Sequence, residues 1–343
     1  MSKLELGTGV WLTRAALCTI FLAAACGPDE PEVVPALYAP SSAHESYALS
    51  LREANLASTA LGRDWISAGE AALTSPLDIS LPFQETGYFD ETEALALAFR
   101  FEALGGQSID IALEVDAGNP TRIFMDLFRV VEDRSADRVH VASGAGEMRR
   151  IQIESRRDAS YVLRLQPELL RSARYTLNVV RDASLEFPVE GHDTSDIQSG
   201  FGAPRDGGRR SHRGVDIFAP RNTPVVAAAE AWVSRVRETE VGGRVIWLRN
   251  KSNGDNLYYA HLESEDVHEG QEVRPGEVIG RVGNSGNART TPPHLHFGVY
   301  VRGRGARDPY PYLHRIRDTA TPLAVDAARL GGWSRSADEN VAL

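Results

Sequence analysis

From about residue 77 onward the chain is dominated by short runs in which apolar and polar residues alternate, a period that predicts half-buried strands. Ala98-Phe-Arg-Phe101, Ile109-Asp-Ile-Ala-Leu113, Ile151-Gln-Ile153, Tyr161-Val-Leu-Arg-Leu165 and Tyr175-Thr-Leu-Asn-Val179 are separated by Gly, Asn, Asp and Pro turns. Residues 77–184 are therefore expected to form a β-sandwich. The strand signal continues through 186–315. Val225 to Arg237 and Val245 to Arg249 are strand-like, and Asn253-Gly254 joins the second run to Leu257-Tyr-Tyr-Ala-His261 as a hairpin. Trp232 and Trp247, within these runs, are expected in the core. Before residue 77 the period changes. Tyr47, Leu51, Ala54 and Ala57, then Leu61, Trp65, Ala68 and Ala72, recur at three- and four-residue steps. That spacing predicts one or two helices over 43–76, stopped by Pro76. The expected fold class is mainly β, with a short helical segment ahead of two β domains.

The N-terminus follows a different logic. Ala15 to Ala25 is an apolar run preceded by Lys3 and Arg14. It is too short to span a bilayer and has the shape of a signal-peptide core, giving a signal peptide over 1–25. Leu22-Ala-Ala-Ala-Cys26 resembles a bacterial lipoprotein box, which implies that Cys26 is lipidated and anchors the chain to a membrane. Gly27 leans towards the outer membrane, facing the periplasm; a simple signal peptide with secretion of the product is the alternative. Residues 26–42, acidic and Pro-rich from Pro28 to Pro40, are expected to be an extended linker. Residues 316–343 are left as a C-terminal tail.

Composition narrows the function. A formal net charge of −10 over 343 residues offers no basic footprint for nucleic acid. The only cysteines, Cys18 and Cys26, both lie in the export segment, so the domains have no thiolates with which to build a closed structural zinc site.

Candidate chemistry is concentrated in three pieces: His212-Arg-Gly-Val-Asp216, Tyr259-Ala-His261 and His294-Leu-His296. A catalytic zinc site takes three His, Asp or Glu ligands and keeps a fourth position open for water. His294 and His296, two apart in a β-branched and aromatic context, share one face of a strand. His212 and Asp216 are four apart, a helical spacing, but Gly207-Gly208, Gly214 and Pro220 argue against a helix. An extended Val215-Asp-Ile-Phe218, with His212 on the loop entering it, fits better. No His-Glu-x-x-His occurs, which excludes the helix-borne arrangement.

Around these pieces lie Gly200-Phe-Gly-Ala-Pro-Arg205, Gly242-Gly243, Gly270-Gln-Glu-Val273, Gly280-Arg-Val-Gly-Asn-Ser-Gly286 and Pro293. In this order and spacing, residues 186–315 resemble the lysostaphin-type (LytM-like) zinc endopeptidases that cleave peptide bonds in bacterial cell walls. The resemblance implies an antiparallel β peptidase fold of the duplicated-hybrid-motif type. It implies one Zn2+ per chain, held by His212, Asp216 and His296. It makes His294 the general base or water-orienting group and His261 the oxyanion stabiliser or proton relay. It implies peptidoglycan stem or cross-bridge peptides as substrate. Thr290-Thr-Pro-Pro293 departs from the Ser-Thr-Gly-Pro run of many members. Candidates for substrate contact are Tyr259, which shares strand parity with His261 and either lines the groove or is an ordinary half-buried strand tyrosine, together with Arg213 and Asn284. Arg205, Arg209, Arg210 and Arg213 crowd the approach to His212 and either hold substrate carboxylates or form a solvated loop. His140, His192, His268 and His314 match no motif position, and His140 is expected at the surface. The 77–184 segment resembles the jelly-roll domains found beside secreted bacterial peptidases. The alternative function is a non-catalytic envelope regulator that activates or recruits other wall hydrolases.

Overall fold

The computed structural model describes residues 40–131, 134–144, 149–316, 333–335 and 340–342. The signal peptide, Cys26 and most of the linker lie outside the described residues, as do residues 317–332 of the tail.

Two helices open the described chain. Helix α1, Ala43–Glu53, starts where the Ser42 hydroxyl accepts the Glu45 N–H, and α2, Ala60–Thr74, where Thr59 caps Gly62 in the same way. They are separate because Asn55 adopts a left-handed φ of 59°, a turn conformation that Asn tolerates. The buried stripe is His44, Ala48 and Leu51 on α1, then Gly62, Trp65 and Gly69 on α2. Leu61, placed on the apolar stripe by its spacing, is instead exposed. Gly69 is small for a reason: a Cβ there would lie 2.5 Å from the Gln166 side-chain oxygen. That close approach lets Trp65 donate its indole N–H to Pro167 O at 2.8 Å.

Nine strands follow: β1 Leu77–Asp78, β2 Phe83–Phe89, β3 Leu97–Ala103, β4 Gln107–Asp116, β5 Ile123–Val131, β6 Arg134–Gly144, β7 Arg150–Glu154, β8 Ala159–Pro167 and β9 Ala173–Ala183. They form two sheets, ordered β1-β3-β8-β5-β6 and β2-β9-β4-β7, antiparallel apart from the short β1–β3 pair. Phe99, Phe101, Leu127 and Leu163 of the first sheet meet Ile109, Ile111, Leu177 and Val179 of the second in one core, as the alternation requires. The helices cover the other face of the first sheet, which is why β8 is buried along Tyr161–Pro167 without alternation. His140 is half-buried rather than at the surface. Its Nε2 lies 2.7 Å from Ser143 Oγ, which donates to buried Asp126.

The C-terminal part is built on a ten-stranded antiparallel sheet. Its main path runs through β10 Ile197–Ser199, β13 Val215–Phe218, β20 His294–Val301, β17 Asn256–Glu265, β16 Gly243–Asn250, β15 Ala231–Thr239 and β18 Glu272–Val273. Strands β14 Pro224–Val226, β19 Val278–Val282 and β21 Gly305–Arg307 branch from it, and β11 Pro204–Arg205 pairs with β12 Arg210–Ser211 in a separate hairpin. The expected Val225–Arg237 run is thus two strands, parted by Ala227–Glu230. The β16–β17 hairpin turns at Asn253-Gly254, where Gly254 has φ 73°. The buried core includes Val215, Ile217, Val233, Leu248, Tyr259, Leu295 and Phe297.

The sandwich is bolted to this sheet at one end. Both Arg156 terminal nitrogens lie 2.8 Å from the Asp255 carboxylate, itself 2% exposed. Tyr312, from helix α3 Tyr310–Leu313, covers Gly106 so closely that a Cβ there would stand 2.3 Å from the ring. Asp255 also accepts the Arg302 N–H, so the junction sits beyond the Val301 end of β20. His294 begins that strand, at its other end.

Candidate metal centre and active site

Strand register brings the first two predicted ligands together. Asp216 and His296 are direct partners across β13 and β20, and Ala260 of β17 is the partner of His296 on the other side. Because side chains alternate, Val215, Ile217, Leu295 and Phe297 enter the core while Asp216, His294 and His296 share the opposite face. His212 is delivered by the loop before β13. Two backbone hydrogen bonds, Gly202 N–H to His212 O and His212 N–H to Ala203 O, each 2.8 Å, pin that loop. Gly214 then lets it pass close to β20, since a Cβ there would lie 2.4 Å from Phe297 O and 2.8 Å from the His296 ring.

The three side chains converge. His212 Nε2 lies 2.9 Å from His296 Nδ1 and 3.0 Å from Asp216 Oδ1, and His296 Nδ1 is 3.0 Å from the same oxygen. All are buried or nearly so. His212 Nδ1–H donates to Gly200 O at 2.9 Å, which assigns the tautomer and leaves Nε2 as a lone pair. Burial pushes the His296 imidazole down, with Asp216 only partly opposing it, towards the neutral form that can ligate. Burial alone would raise the Asp216 carboxyl, but the adjoining His212 and His296 outweigh it and hold it well below the usual carboxylate range. Two imidazole nitrogens and one carboxylate oxygen, aimed at a common point with the outer atoms of His212 and Asp216 hydrogen-bonded, fit a divalent zinc-like ion with an open fourth position.

Two more histidines stand beside this triangle without joining it. His294 Nδ1–H donates to Pro292 O and His261 Nδ1–H to Ser285 O, both at 2.9 Å. The chemistry of each is thereby left to Nε2. Their rings are 5.0 Å apart, His261 is 6.0 Å from the His296 ring, and His294 stacks on Phe218 at 4.9 Å. Burial, reinforced by His294, pushes His261 down to about 4, so it is neutral at neutral pH. These residues lie in a cleft of about 970 Å3 that also takes in Arg205, Arg209, Arg210 and Arg213.

Tyr259, a predicted substrate contact, is not in the cleft. It is 0% exposed and its hydroxyl accepts the Ala228 N–H at 2.9 Å. Parity with His261 fails because His261 has φ 63° and the β16–β17 register shifts there, so Tyr258 and Ala260 face the cleft with His261. Asn284 does not line the cleft either. Its side-chain oxygen accepts from Arg221 and its amide reaches Thr291 O at 3.2 Å, tying down the loop before His294. Arg213 does line it, exposed, near Tyr300. Arg205 is turned inward onto Asp216 Oδ2 and Ser199 Oγ. His192, His268 and His314 lie outside the cleft lining.

The expectation for both tryptophans is corrected. Trp232 is 46% exposed beneath Lys251. Trp247 lines the cleft, 4.4 Å from Tyr258 and 5.2 Å from Tyr300, and Tyr258 stands edge-on to His296 at 5.8 Å. This aromatic wall crosses β16, β17 and β20. Its one sequence signal is the position of Trp247 between buried Ile246 and Leu248.

Residues 210–309 match Peptidase family M23. Over 138 residues, 37% of this chain and 42% of the relative, the chain is 38% identical to an L-Ala–D-Glu endopeptidase of Bacillus subtilis. It is 36% identical over 100 residues to the peptidoglycan DD-endopeptidase ShyC of Vibrio cholerae, covering 29% of this chain and 22% of that protein. The chain therefore spans less than half of the length of either relative. Among solved structures, the catalytic domain of lysostaphin from Staphylococcus simulans is similar over 34% of this chain and 92% of its own, with 31% identity and a TM-score of 0.31. The segment that carries the His-Asp-His triangle is a Peptidase family M23 domain.

Proposed function

We propose that this protein is a zinc-dependent endopeptidase that hydrolyses peptide cross-links of peptidoglycan. The observation that carries the reading is the triangle of His212 Nε2, Asp216 Oδ1 and His296 Nδ1, with edges of 2.9–3.0 Å, flanked by two histidines that do not belong to it. A zinc ion held by those three residues would polarise the scissile carbonyl and bring the pKa of a bound water towards neutrality. The remaining steps belong to the protein. His294, its ring oriented by Pro292 O and Phe218, takes the proton of the attacking water at Nε2 and returns it to the leaving amine. His261 starts neutral, so its Nε2 accepts before it donates and serves as the second station of that relay. Trp247, Tyr258 and Tyr300 form a wall against which the substrate can be oriented. The activities named for the relatives from Bacillus subtilis and Vibrio cholerae support peptidoglycan peptides as the substrate class. Export and lipidation at Cys26 would hold the enzyme at the wall; a Cys26→Ser chain that still incorporates labelled palmitate would disprove that part.

The test is incubation of the purified protein with cross-linked peptidoglycan and mass spectrometry of the released muropeptides, with chelator and zinc add-back. Loss of cross-linked dimers that stops with chelator and returns with zinc is expected. His296→Ala should lose both metal and activity. His294→Ala and His261→Ala should keep metal and lose roughly 10²–10⁴-fold in kcat. Protein that contains zinc yet releases nothing at any pH would sink the proposal.

A further inference from the structure

We infer that Arg205 is a positioning residue for the metal centre, acting through Asp216; the inference rests on the zinc reading above. The two oxygens of Asp216 face different partners. Oδ1 is 3.0 Å from both His212 Nε2 and His296 Nδ1, while Oδ2 accepts from Arg205 Nη2 at 2.5 Å. The same nitrogen donates to Ser199 Oγ at 2.8 Å, and Ser199 of β10 is the strand partner of Asp216. A carboxylate held in this way is fixed in orientation through one oxygen and presents the other to an ion.

Arg205 is itself placed by the hairpin that places His212. It pairs with Arg210 across β11 and β12, and backbone bonds from Gly202 and Ala203 tie the loop leading into β11 to His212. One small hairpin therefore sets both a predicted ligand and the cation behind a second one. An exposed Arg–carboxylate pair contributes little. Here, however, the Asp216 side chain is 11% exposed and belongs to the ligand triangle, where outer partners govern metal affinity by 10–100-fold. The sequence groups Arg205 with three neighbouring arginines as a possible clamp for substrate carboxylates. In the folded chain it clamps the protein's own.

The experiment titrates Zn2+ alone into the full-length chain against a chromophoric chelator, with circular dichroism to confirm folding. Arg205→Met should bind zinc 10–100-fold more weakly than wild type. Arg205→Lys, which keeps the cation, should recover part of the loss. Ser199→Ala, which removes the second anchor of Nη2, should weaken binding by about threefold and serves if the Met variant misfolds. Unchanged or tighter zinc binding in folded Arg205→Met, or in Ser199→Ala where that variant is the one read, overturns the inference while the zinc reading stands. A folded wild-type chain that takes up no zinc overturns both.

Discussion

Replacing Tyr259 by Phe separates a core role from a substrate-binding one. The ring fills the core beside Phe297, 5.2 Å between centroids, and its hydroxyl accepts the Ala228 N–H at 2.9 Å. Ala228 is 2% exposed and lies between β14 and β15, where no ladder partner can replace the lost acceptor. Tyr259→Phe keeps the ring and strips the acceptor, stranding a buried donor at a cost of about 1–3 kcal/mol. At about 2–4 °C per kcal/mol for a domain of this size, the midpoint of thermal unfolding should fall by roughly 5 °C. Because the ring stays in place and the hydroxyl never reaches the cleft, kcat/KM on a cross-linked muropeptide at 25 °C should stay within about twofold. The two readouts are unfolding by circular dichroism and hydrolysis followed by chromatography. A variant with unaltered stability and a KM raised tenfold would refute the reasoning and return Tyr259 to the substrate groove.

Two further outcomes are expected. Trp247→Ala removes the centre of the aromatic wall without touching the triangle. It should raise KM by about tenfold, equivalent to about 1.4 kcal/mol, with kcat little changed; equal losses in kcat and kcat/KM would show the wall acting in the chemical step instead. His44, stacked on Trp65 and donating to Gln166, is pushed down to about 4 by burial and by Arg164. Its folded pKa lies below the unfolded value of about 6.5, so the folded state binds fewer protons and stability is lost as pH falls from about 6.5 to about 4. That amounts to about 2–3 kcal/mol at pH 4.5. Urea titrations at pH 7 and 4.5 should show a smaller difference in His44→Gln than in wild type, and an equal difference would exclude His44 as the source.

Much of this protein is legible in one dimension. Two-residue alternation announces the sandwich strands, and the three- and four-residue steps announce α1 and α2, because each period is a direct readout of which face is buried. The His-x-His pair and Asp216 are legible for the same reason: neighbours on a strand share a face whatever the strand packs against. The sequence by itself thus determined that the chain is mainly β and which five side chains are candidates for the chemistry. It could not determine which strands lie side by side. Register is a tertiary property, and it alone places Asp216 opposite His296 and sets Trp247 beside Tyr258. Nor does parity survive a local backbone departure. The positive φ of His261 turns that histidine onto the face of Tyr258 and Ala260, so Tyr259, which the pattern assigned to the groove, lies in the core. Arg205 shows the same limit for charge: four arginines in a row of loop residues look alike until the hairpin turns one of them onto a buried carboxylate. Side-chain type and spacing fix what a residue can do, whereas its partner is fixed by chain segments far away in sequence that only the packed structure brings near.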